Sequence, residues 1–84
     1  MTGDIDSAIE EYLRMMFGDM VRATIKMQKK KLGLNGKSEL TRDEYLKLAE
    51  EIRKVCTGMS GEEFAKKIHE GLIKIIEQKL NRAS

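Results

Sequence analysis

The chain has 84 residues, with sixteen Lys and Arg against fourteen Asp and Glu, giving a net charge of +2. That size sets one domain, over 1–84, and that balance excludes an overwhelmingly basic nucleic-acid binder. The single cysteine excludes an intrachain disulfide, and an unpaired thiol fits a reducing, cytoplasmic setting. There is no Pro or Trp, and two Tyr and two Phe stand beside six Met, a composition that gives little support to sheets. The fold class read from it is all-α.

The N-terminal run MTGDIDSAIEE is acidic where a secretory signal would be basic. No apolar run approaches the roughly 20 residues that cross a bilayer. A first helix is predicted over 6–32, with Ser7–Glu10 as its capping box. Gly33 is its natural C-terminal stop, and Leu34 supplies the hydrophobic contact that accompanies such a cap. Gly18 is the interior weakness, costing about 1 kcal/mol against Ala.

This helix carries too much apolar surface for one stripe. Ile5, Ile9, Tyr12, Leu13, Met16, Phe17, Met20, Val21, Thr24 and Met27 spread over more than half of its circumference, whereas a surface helix buries an arc of somewhat over 100°. It is also long, about 40 Å at 1.5 Å per residue. A short hairpin folded back from Gly33 would leave the segment of Ile5, Ile9, Tyr12, Leu13 and Met16 uncovered, which points to an interface with a second copy. If the helix breaks at Gly18 instead, its first half folds onto the hairpin as a fourth helix.

The segment 21–37 holds Arg22, Lys26, Lys29, Lys30, Lys31 and Lys37 with no acid, after an acidic first half. Acid at the start of a helix and base at its end is what the helix dipole favours, but one or two cations satisfy it. The surplus makes Arg22, Lys26, Lys29, Lys30 and Lys37 candidates for contact with phosphate or an acidic partner. The loop over 33–40 has no aromatic residue for base stacking. Gly36-Lys-Ser38 resembles the tail of a phosphate-binding loop, but Lys31 stands where that motif needs its first glycine.

The second half is punctuated more clearly. Thr41–Glu44 and Ser60–Glu63 both read as capping boxes, with Leu40/Tyr45 and Met59/Phe64 as their staples. A second helix over 42–57 is predicted to end at Gly58 and turn into a third over 61–81, as an αα-hairpin. Tyr45, Leu48, Ala49, Ile52, Val55, Cys56 and Met59 form one apolar arc; Phe64, Ile68, Leu72, Ile75, Ile76 and Leu80 form the other. Five acid-to-base pairs at i,i+4 lie on the outer faces: Asp43–Lys47, Glu50–Lys54, Glu62–Lys66, Glu63–Lys67 and Glu70–Lys74.

Catalysis has little to stand on. Cys56 and His69 are the only nucleophile–base candidates, and two protein ligands fall short of the four in a structural zinc site. Asp4-Ile-Asp6 lacks a calcium loop's glycine and spacing. The expectation is a non-enzymatic interaction, assembly or regulatory module without metal or cofactor, self-associating or binding a protein through the first helix. The alternative is a small dimeric nucleic-acid binder using the 21–37 segment.

Overall fold

The computed structural model describes residues 2–37 and 40–83, with only the backbone of 2–4 and 82–83. Ser38 and Glu39 of the predicted loop, and the Asp4 side chain, lie outside the described residues. The elements are α1 (Thr2–Phe17), a 3-10 turn (Gly18–Met20), α2 (Val21–Lys31), α3 (Arg42–Ser60) and α4 (Glu62–Ala83). All are helical, as the composition requires. Because α1 starts at Thr2, Ser7 is an interior residue and caps nothing.

The N-terminal helical stretch begins at Thr2, ahead of the predicted 6–32, and breaks at Gly18, where it doubles back on itself. Gly18 takes φ +58°, in the left-handed region that costs an L side chain about 1–2 kcal/mol. Two ion pairs prove the reversal. Arg22 Nε lies 2.9 Å from Glu10 Oε1, and Lys29 Nζ lies 3.6 Å from Asp6 Oδ1. In one straight helix the latter two residues would be about 34 Å apart. An unbroken helix of the predicted length would also exceed the longest dimension of the fold, 35 Å.

Contacts between helices distant in sequence give the topology. Arg42 Nη2 meets Glu77 Oε1 at 2.6 Å and His69 Nε2 meets Glu50 Oε2 at 3.3 Å, so α3 and α4 run antiparallel. Tyr45 Oη donates to Asp6 Oδ1 at 3.3 Å and Cys56 Sγ to Met16 Sδ at 3.4 Å, so α3 runs parallel to α1. Around the ring α1 touches α2, α2 touches α3, α3 touches α4 and α4 returns to α1. This is an up-down-up-down four-helix bundle in which α1 and α3 meet across a diagonal through side chains.

Reversal at Gly18 accounts for the surplus apolar surface of the first stretch. Ile5, Ile9 and Leu13, spaced every four residues along one stripe of α1, are 2%, 2% and 0% exposed within the single chain. Tyr12 and Met16 flank them, half-buried against the same core. The surface predicted to await a second copy is therefore covered by the chain itself. Val21, Leu34, Leu40, Tyr45, Leu48, Ala49, Ile52, Cys56, Ala65, Leu72 and Ile76 complete the core.

Two helix ends follow the predicted chemistry and one does not. Thr41 and Glu44 form the capping box: Glu44 N donates to Thr41 Oγ1 at 3.2 Å and Thr41 N to Glu44 Oε1 at 2.8 Å. Gly33, at φ +71°, ends α2 in a Schellman motif, with Leu34 N on Lys29 O at 2.8 Å and Gly33 N on Lys30 O at 3.1 Å. The second predicted box is absent because Ser60 is still helical. Gly61, at φ +93° and donating to Thr57 O at 3.0 Å, makes the turn.

Gly58 is thus an interior helical residue, with open space where a Cβ would stand. Gly58→Ala is expected to stabilise the fold by about 0.5–1 kcal/mol, read as a raised denaturation midpoint. A loss of stability would return the helix end to Gly58.

Gly71 behaves in the opposite way. A Cβ there would sit 2.1 Å from Tyr12 Oη and 2.5 Å from Tyr12 Cζ, so α1 lays a tyrosine ring directly on the α4 backbone. Gly71→Ala is expected to cost about 1–3 kcal/mol by displacing the ring. With Tyr12→Ala already made, the same substitution should gain about 1 kcal/mol from helix propensity. A double-mutant cycle by chemical denaturation checks this change of sign.

Among the described residues none of the five predicted i,i+4 pairs closes. Glu50 turns to Arg53 and His69, and Lys54 to Glu51 at 2.9 Å. Several charges tie helix to helix instead, each such exposed pair contributing about 0–1 kcal/mol.

Candidate functional site

Reversal at Gly18 also builds a cleft that no single helix presents. It is about 260 Å³ and lies between α1, α2 and the turn after α2. Ile25 and Leu34 are its apolar contribution; Asp6 and Glu10 come from α1, Arg22, Lys26 and Lys29 from α2, and Asn35, Gly36 and Lys37 from the turn. Four of the five cations expected to contact an anion, Arg22, Lys26, Lys29 and Lys37, therefore surround one opening. Lys30 is exposed on α2 and does not line it.

These cations are not equivalent. Arg22 is held by Glu10, Lys29 by Asp6 and Lys37 by Glu44, whereas Lys26, Lys30 and Lys31 have no ion-pair partner among the described residues. The Lys37 ammonium, followed by the Thr41 amide, holds the Glu44 carboxyl below its ordinary range. Depression of an acid's folded-state value means that this interaction stabilises at neutral pH and fades as pH falls through the lowered value. On the inner side of α2, Gln28 is buried, and its Oε1 lacks a hydrogen-bond partner among the described residues. An orphaned acceptor of that kind costs about 1–3 kcal/mol.

A second surface lies at one end of the bundle. Cys56 touching Met16 brings the end of α1 beside the end of α3, where α4 also begins. Met15 in the last turn of α1, Met20 in the 3-10 turn, Met59 in the last turn of α3 and Phe64 in the first turn of α4 are 89%, 64%, 57% and 43% exposed. Met59 and Phe64, assigned to the inner faces by their spacing, are thus largely on the surface; Ala65 takes the inner position on α4. Met15 had a signal in the sequence, since it stands beside Met16 but off the apolar arc of its helix.

Cys56 and His69 are turned to different partners, Met16 and Glu50. Burial raises the Cys56 thiol above its ordinary value, the direction opposite to that of an activated nucleophile. Among the described residues no group of three or more His, Cys, Asp and Glu side chains is placed to hold a metal ion, and no helix is long and apolar enough to cross a membrane. No family model, curated protein or solved structure matches the chain.

Proposed function

We propose that the chain is a non-enzymatic protein-interaction module, working in a reducing, cytoplasmic setting, that docks a protein partner on the methionine-rich end of its bundle. The observation that carries this reading is the exposure of Met15, Met20, Met59 and Phe64 from three helices and a turn at one end. Four large apolar side chains exposed at one end of the bundle support a contact surface there better than ones scattered along it would. Methionine suits such a surface because its unbranched, polarisable thioether adapts to the shape it meets. The surplus apolar character of the N-terminal stretch still supports an interface, but at Met15 and Met20 in place of Ile5, Ile9 and Leu13. A second copy seated on this end is the simplest partner.

Incorporating a photoreactive phenylalanine at Met20 tests the reading. Irradiation in the source cells should give a discrete protein adduct that Met15→Gln with Met59→Gln suppresses. The same probe at exposed Lys47 on α3 should not give it. Equal labelling from both positions would count against a docking surface here.

The convergence of Arg22, Lys26, Lys29 and Lys37 favours a second reading, contact with a nucleic-acid backbone. It requires affinity for duplex or single strands that falls steeply as salt rises. Absence of binding at low salt would end it.

A further inference from the structure

We infer that the cleft between α1, α2 and the turn at Asn35–Lys37 is a binding site for a small hydroxyl-bearing phosphate monoester of the sugar-phosphate class. The inference is independent of the docking role given to the methionine-rich end. It starts from how the cations are held. Arg22 meets Glu10 through Nε, at 2.9 Å, and its terminal nitrogens have no partner among the described residues. Arg14 Nη2 lies 3.6 Å from the other oxygen of the Glu10 carboxylate, an ion pair without a hydrogen bond. The guanidinium is therefore oriented while two of its nitrogens remain available as a fork, the geometry that matches phosphate oxygens.

Four further donors belong to residues that line the same opening. Lys26 lines the cleft and has no ion-pair partner among the described residues. Lys29 is 3.6 Å from Asp6, too far for a hydrogen bond, so its ammonium keeps its donors while its position is biased. The backbone N–H groups of Asn35 and Gly36 make no hydrogen bond among the described residues. So many donors exceed what the two oxygens of a carboxylate can accept, and they suit the three oxygens of a phosphate dianion.

The remaining lining sets the rest of the ligand. Asp6 and Glu10 accept hydrogen bonds and repel negative charge, so beside the phosphate they favour neutral hydroxyl groups. Ile25 and Leu34 accept a short carbon frame. A volume of about 260 Å³ is just under the range of drug-sized pockets and leaves room for a phosphate with a few carbon atoms. Among the described residues no aromatic side chain lines the cleft to stack a nucleobase.

Titration of the isotope-labelled chain with ribose 5-phosphate, inorganic phosphate, ribose and an unphosphorylated RNA duplex, followed by amide NMR shifts, tests the inference. Ribose 5-phosphate should shift the Asn35, Gly36 and Lys26 amides and bind more tightly than phosphate or ribose. Arg22→Gln and Lys26→Gln should each weaken it about tenfold, the loss expected for one charge-assisted hydrogen bond. Lys66→Gln, on the exposed face of α4, should leave it unchanged. Both cleft variants replace exposed side chains, and dispersed amide spectra will show that they are folded. No shift with any phosphate, an equal loss from Lys66→Gln, or tighter binding of the duplex would each overturn the proposal.

Discussion

Leu13→Glu is expected to leave the chain unfolded at room temperature. Leu13 is fully buried in the single chain, in one stripe with Ile5 and Ile9. Removing a buried leucine side chain costs about 2–5 kcal/mol, and a carboxylate without a partner adds its desolvation to that loss. A single core in a chain this small supplies about 3–5 kcal/mol in all. Circular dichroism should show the helical signal lost, with no recovery at high protein concentration. A folded monomer would instead mean that Leu13 faces a second copy, and that α1 does not cover its own core.

Gly18→Ala is expected to change the assembly state. Alanine at φ +58° costs about 1–2 kcal/mol, so the reversed form loses that much. Alanine also favours continuing the helix through Asp19 and Met20 by about 1 kcal/mol over glycine. None of the three residues of the 3-10 turn is buried, so straightening it breaks no core contact of its own. Once α1 and α2 are joined, α1 can no longer reach its place beside α4 in the same chain. A second copy can supply it, an exchange to which short hinges are prone. Light scattering should therefore show a concentration-dependent dimer, and denaturation of dilute protein a stability loss of about 1–2 kcal/mol. A monomer of unchanged stability would contradict the role given to Gly18.

What could be read from the sequence was what is encoded locally. The Thr41–Glu44 box needs only residues three apart, and the Gly33 cap needs only a glycine followed by an apolar residue. The pairing of α3 with α4 follows from their facing arcs and short connection. Ser60–Glu63 has the same letters as a capping box, yet Gly61 competes for the turn and wins, because it alone can take φ +93° without strain. Gly58 lost the same competition three residues earlier.

What could not be read was what two distant segments do to each other. Gly71 is small because the Tyr12 ring crosses α4 there, and nothing near Gly71 in the chain announces it. The cleft is of the same kind. Glu10 and Arg22 are twelve residues apart and meet only through the reversal at Gly18. The lysine-rich stretch suggested an anion without showing which cations would share an opening. Periodicity placed Met59 and Phe64 on inner faces, because an apolar arc does not reveal where the neighbouring helix ends.

The most direct test of the account is the distance between spin labels at Ser7 and Lys30, both exposed, in a Cys56→Ala background. A reversed α1–α2 pair predicts a short separation, on the order of the roughly 10 Å between packed helix axes. That distance should persist after refolding with an excess of unlabelled chain, because both labels sit in one bundle. A separation of about 34 Å, that of 23 residues along one continuous helix, would contradict the account.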